Sequence, residues 1–141
     1  MLLALLTGVL WLSAAVPASA QAIWTWTNQY GSILTVTQYN ANTGQLTGTY
    51  TNNAAGSCDV GKPQAMTGWL ANGSNGTAIS FAVNWLGCSS TAIWTGQLNN
   101  NSGFQGMWLL SLAAPVVWNG VSAGADTFTF QSGDKTKLKK P

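Results

Sequence analysis

Only a narrow set of the 141 side chains can do chemistry. There are five lysines and three aspartates, with no Arg, Glu or His. Without His there is no imidazole base for a nucleophilic triad and no imidazole ligand for zinc. Without Arg or Glu there is no guanidinium clamp for phosphate and no glutamate pair of the kind that cleaves glycosides. What remains is uncharged hydrogen-bonding groups, Asn28, Ser32, Tyr50, Asn52 and Ser90, together with one carboxylate, Asp126. Trp85, Trp94, Trp108 and Trp118 recur at comparable places near strand ends. Each Trp taken singly also suits a core, and Asp126 taken singly suits a turn cap. Four Trp bordering one mouth, with polar groups between them, instead describe a pocket for a neutral or weakly charged small molecule. Asp126 has no acid or base partner, so an enzyme is not expected, and neither a metal nor a cofactor is called for. A carbohydrate is the rival ligand class, because Trp and Asn also suit sugars.

These residues can converge only if the elements carrying them bring them to one end of a single domain, the number that this length suits. After Gln21 no stretch sustains a helical period, and Thr, Val, Ile, Trp, Tyr and Phe recur between Gly and Asn clusters. That pattern predicts short antiparallel strands near 22–28, 32–39, 45–52, 64–71, 77–85, 92–99, 104–112 and 125–131. Period-two spacing places Ile79, Phe81, Val83 and Trp85 on one face, and Leu70 opposite Trp69. NANTG, NGSNG and NNNSG are tight turns, whereas the alternate connections hold NQYGS, NNAAGSCDVGKP, LGCSS and AAPVVWNGVSAG. In an up-and-down meander the four richer loops share one end. Closing the eight strands into an all-β barrel removes exposed edges and leaves room for one small ligand, with a β-sandwich as the alternative.

The first twenty residues read as a secretory signal, with an apolar run from Leu2 to Leu12 and a small-x-small end at Ala18, Ser19 and Ala20. A membrane anchor is the alternative, but the run is shorter than the ~20 residues a span needs. Export predicts a secreted or periplasmic protein in an oxidising compartment. There Cys58 and Cys88 read as a disulfide, two separate buried thiols being the alternative. Residues 21–133 form the expected barrel. Residues 134–141, DKTKLKKP, hold four of the five lysines and read as a flexible, dispensable tail. So local a basic patch does not suit nucleic acid.

NQYGS at 28–32, LTGTY at 46–50, TGW at 67–69, FAVNW at 81–85, IWTGQ at 93–97, MWLL at 107–110 and DTFTF at 126–130 occur in an order that resembles the avidin and streptavidin family of biotin-binding proteins. The resemblance implies an eight-stranded antiparallel up-and-down barrel that binds biotin without chemical change. It implies that Asn28, Ser32 and Tyr50 donate to the ureido oxygen, and that Asp126 and Asn52 accept from the ureido N–H groups. Trp85, Trp94 and Trp108 would enclose the ligand, with Leu110 beneath, and Ser90 and the backbone of 53–57 would meet the ligand carboxylate. Trp118 would cap a neighbouring subunit's pocket, as in tetrameric members. Cysteines placed like Cys58 and Cys88 resemble the dimeric branch, so homodimer and homotetramer both follow. Ala92 departs from the family, which commonly has Thr there beside the ligand sulfur.

Overall fold

The computed structural model describes residues 21–138. The expected signal segment, and the last three residues of the expected tail, lie outside them. Eight strands follow in order: β1 (Trp24–Asn28), β2 (Ile33–Tyr39), β3 (Gln45–Thr51), β4 (Pro63–Gly73), β5 (Gly76–Trp85), β6 (Ser90–Leu98), β7 (Phe104–Leu112) and β8 (Val121–Gly133). Each pairs antiparallel with the next, and β8 returns to β1, closing the barrel. The elements follow the sequence reading to within a few residues except β8, which begins four residues earlier than expected. Its first four residues, Val121–Gly124, are poor in large side chains, yet their backbone pairs with Trp108–Ser111 of β7.

Alternation decides which side chains enter. In β4, Met66, Gly68 and Leu70 are buried while Thr67 and Trp69 are exposed. In β5, Ile79, Phe81, Val83 and Trp85 point inward. The tight turns carry their own wiring: Asn40 Oδ1 accepts from the N–H groups of Asn42 and Thr43, and Asn99 Oδ1 from those of Asn101 and Gly103. These are Asx turns, in which a side-chain carbonyl replaces a backbone partner.

The interior is stacked in two aromatic layers. Toward the tight-turn end, Trp26 meets Phe104 and Phe130 edge-on, and Phe104 stacks on Phe128 at 4.4 Å. Above them, Trp94 stacks on Phe81 at 4.8 Å and lies 4.8 Å from Tyr50. The lower layer has polar closures. The Trp26 indole N–H donates to the Ser102 carbonyl at 2.6 Å, and that of Trp24 to the Asp134 carbonyl at 2.9 Å.

The tail differs from its sequence reading. Residues 134–138 are folded: a 3-10 turn spans Lys135–Lys137, Leu138 is fully buried, and Thr77 donates to the Leu138 carbonyl at 3.0 Å. Lys135 lies 5.0 Å above the Phe130 ring. A single apolar residue among lysines carries no periodic signal, but it suffices as an anchor because the barrel floor offers it an apolar seat.

Candidate ligand-binding site

At the opposite end the barrel opens into a cavity of about 350 Å³ walled by Trp85, Trp94, Trp108 and Leu110 among others. The rim is pinned by a disulfide between Cys58, in the loop after β3, and Cys88, in the 3-10 turn after β5, with Cα atoms 6.0 Å apart. Asp59 lies beside this pair. Because the two sulfurs are bonded to each other, they do not form a thiolate donor set.

Asn28 ends β1, and its Oδ1 accepts from the N–H groups of Tyr30 and Ser32 at 3.0 and 2.8 Å. That turn determines which end of the amide faces the cavity: Nδ2 points inward and reaches the Tyr50 hydroxyl at 3.4 Å. Tyr50 arrives from β3 and is buried. Burial pushes its phenol well above the ordinary value, aided by the negative charge of Asp126 and opposed by a bond with Ser32. Tyr50 therefore keeps its proton and remains a donor at neutral pH.

Ser32 accepts from the N–H of Asn53 at 3.0 Å and donates to Asn52 Oδ1 at 3.3 Å. The same Asn52 oxygen accepts from the N–H of Ala54 at 3.0 Å. Asn52 Oδ1 is thus engaged both within its own loop, by Ala54, and across to the connection before β2, by Ser32.

Asp126, on β8, is buried and accepts from two neighbours, the Trp94 indole N–H at 2.9 Å and Gln29 Nε2 at 3.1 Å. Gln29 is itself held, because its Oε1 accepts from the N–H of Thr127 at 2.8 Å. Trp108 lies against Gly124, where any Cβ would collide with the indole ring. A glycine is required for the aromatic wall to approach β8 so closely.

Of the residues singled out in the sequence, Asn28, Ser32, Tyr50, Asn52, Trp85, Trp94, Trp108, Leu110 and Asp126 line this one cavity. Ser90 and Trp118 are not among its lining residues. Ser90 is buried at the first position of β6, where strand alternation sets it nearer the rim than Ala92. Trp118 is 84% exposed in a 3-10 turn after β7, so it does not share the depth of the other three Trp. Ala92 lines the cavity and Thr91 is on the outer face, so no hydroxyl enters the wall at that step. Tyr30, Ala54, Ser57, Gly124 and Ala125 complete the lining. Only the backbone near Ala54 and Ser57 was anticipated, since small loop residues have no chemical signature of their own. Gln29 was also missed, although its place next to Asn28 in the first rich loop was a usable signal.

Uncharged donors, one carboxylate and aromatic walls at the open end of an eight-stranded barrel are an arrangement found in known proteins. The avidin family model matches residues 16–131. Core-bradavidin is similar at 73% identity and a TM-score of 0.75, covering 77% of this chain and 98% of that chain. Rhizavidin, solved as a complex with biotin, is similar at 30% identity and a TM-score of 0.66, covering 81% and 95%. Avidin of Gallus gallus is 29% identical over 113 residues, 74% of each chain. The fold, the disulfide and the extent of these matches make this chain a member of the avidin family.

Proposed function

We propose that this protein binds biotin, unchanged and without a cofactor, in the open-ended cavity. The observation that carries this reading is the wiring of the polar wall. Asn28 Nδ2 meets the Tyr50 hydroxyl at the cavity wall, and Ser32 is tied to Asn28 through its backbone N–H and to the loop after β3 through Asn52 and Asn53. A urea needs such a group of donors at its oxygen and acceptors for its two N–H groups, because every polar atom that leaves water must be paired again. Asp126 supplies a charged acceptor, stronger than a neutral one. Trp85, Trp94 and Trp108 supply apolar walls for the ring system and the hydrocarbon chain. Ser90, near the rim, is suited to the ligand's carboxylate tail. Rhizavidin's complex with biotin supports the same ligand for this barrel.

The exposed Trp118 suits a role outside its own pocket, as a cap on a neighbour's pocket in a homotetramer. The disulfide is also compatible with a homodimer. A secreted or periplasmic location fits the apolar leader and the disulfide. Sequestering biotin outside the cell is the purpose that suits an exported protein with no catalytic groups.

Retention on immobilised biotin, elution by free biotin and a saturable change in Trp fluorescence are the expected results. Retention that free biotin does not reverse, but a competing sugar does, overturns the reading in favour of a carbohydrate-binding protein.

A further inference from the structure

The rim holds a contact that the ligand cavity does not use. Among the described residues, Cys58, Asp59 and Cys88 form a group whose ligand atoms, two sulfurs and a carboxylate oxygen, all lie within 4.8 Å of one another. Cys88 Sγ is 3.5 Å from Asp59 Oδ2. A disulfide sulfur has no proton, so two electron-rich atoms face each other here without a hydrogen bond. The local backbone permits this approach. Asp59 adopts φ +54°, a left-handed conformation that Asp tolerates better than most residues. Gly87 stands where a Cβ would come within 2.7 Å of Asp59 Oδ2. Lys62 Nζ donates to the other oxygen, Oδ1, at 2.6 Å, which leaves Oδ2 turned to the sulfurs.

We infer that these three side chains, once the disulfide is reduced, form a binding site for a thiophilic divalent cation such as zinc or cadmium. A dithiol reductant supplies two electrons and two protons: it closes to its own disulfide while the Cys58–Cys88 bond opens to two thiols. The ion then displaces those two protons and takes two thiolates and Asp59 Oδ2 as ligands. Thiolates favour such an ion over magnesium or calcium, which prefer oxygen. Sulfurs sharing a tetrahedral ion stand ~3.8 Å apart, a separation that side-chain rotation reaches from Cα atoms 6.0 Å apart. Two thiolates and a carboxylate bring three negative charges to a doubly charged ion, and the Lys62 ammonium balances the one left over. Cys58 is exposed and the other two are half-buried, so the ion enters from solvent and water completes its tetrahedron. Bound there, the ion is a second form of clasp for the rim. It ties the loop that carries Ala54 and Ser57, both lining the cavity, to the turn after β5. The effect of this clasp on the cavity rests on the proposed ligand: biotin binding weakens when the bridge is reduced and recovers when the ion is added. By reciprocity, biotin tightens the ion by the same factor.

The test uses the whole chain, reduced with a phosphine that is then removed, and cadmium as the probe. One equivalent should produce the ultraviolet charge-transfer band of a cadmium–thiolate bond, while the oxidised protein gives none. Asp59→Asn should weaken cadmium binding about tenfold or more, since a ligand matters at least as much as the partners that orient one. Asp134→Asn, at the other end of the barrel, should leave it unchanged. In the reduced protein, cadmium should raise biotin affinity about threefold to tenfold, undoing the loss from the opened bridge. Should reduction unfold the chain, refolding on addition of cadmium, followed by circular dichroism, is the expected result. Absence of the band, or a band indifferent to Asp59→Asn, overturns the site. Unchanged biotin affinity with cadmium bound overturns the clasp. The cadmium band is read without biotin, so a parent protein that does not bind biotin overturns the ligand while the band still decides the metal site.

Discussion

Trp94 and Asp126 form a buried hydrogen bond, with the indole N–H 2.9 Å from the carboxylate Oδ2. One residue is a wall of the cavity and the other its charged acceptor, so the two parts of the site are joined directly. Asp126→Ala should weaken biotin binding by about 2 to 5 kcal/mol, roughly thirtyfold to several thousandfold. It should also lower stability by about 1 to 3 kcal/mol, because Trp94 and Gln29 lose their acceptor. Trp108→Phe keeps an aromatic wall and should cost less affinity. Calorimetry and thermal melts on each variant separate the two effects, and Asp126→Ala binding within about threefold of the parent would show that the pocket is wrongly assigned.

Tyr50 makes stability depend on alkaline pH. Its folded pKa is raised, so the native state keeps the proton that the unfolded chain begins to release near pH ~10. The native state then binds more protons than the unfolded one, and stability falls as pH rises, by about 1.4 kcal/mol per unit beyond the unfolded value. Below that value the contribution is fully present. Denaturant melts between neutral pH and pH ~11 should show a steeper decline for the parent than for Tyr50→Phe, while the other titrating groups contribute alike to both.

The disulfide closes a loop with a sequence separation of 30. Replacing Cys58 and Cys88 by Ser should lower stability by ~3 to 4 kcal/mol on the chain-entropy model. Ala54 and Ser57 stand in the tethered loop and line the cavity, so affinity should also fall, by roughly threefold to tenfold, as the loop becomes costlier to order. Intact mass with and without reductant verifies the bridge, and melting and titration check the two losses.

Ser102 is a strained position in the floor. It has φ +66°, it is fully buried, and its hydroxyl has no hydrogen-bond partner. Ser102→Gly removes both costs and keeps the carbonyl that receives Trp26. Against them stands the greater freedom of glycine in the unfolded chain, about 0.5 to 1 kcal/mol. A net gain of about 1 kcal/mol, or roughly 4 °C in Tm, is expected by calorimetry, with unchanged biotin affinity.

Ending the chain after Gly133 removes a buried leucine and the acceptor of the Trp24 indole. Stability should fall by about 2 to 4 kcal/mol. Ligand affinity should persist, because the loss is at the end of the barrel away from the cavity. Equal melting temperatures for the two chains would return the tail to the dispensable role that its composition suggests.

Most of the barrel is legible in the sequence because strand alternation and Asn-Gly turns are local signals. Phe81 beside Ala82, or Asn99 before Gly103, can be read without knowing the rest of the chain. The cavity is partly legible: its polar residues stand at strand ends, and the order of the connections assigns those ends to one side. Partnerships across the barrel are not local. Nothing near Gln29 announces that its amide reaches Asp126, and nothing in DKTKLKKP announces that Leu138 finds a seat beside Thr77. Asn52 was read as an acceptor from its functional group, but how many bonds it already holds depends on Ala54 and Ser32 in space.

Among the described residues, the floor formed by Trp24, Trp26 and Leu138 closes the tight-turn end and leaves the cavity its mouth at the other. A departing molecule and its replacement must share that passage, and neither can push the other out from behind. Exchange of a bound label for excess unlabelled ligand should therefore proceed at one rate whatever the concentration of the chase. Residence time then depends on the mouth and its tethered rim as well as on the contacts inside, and a second copy covering that rim would lengthen it without adding any contact to the ligand's polar head.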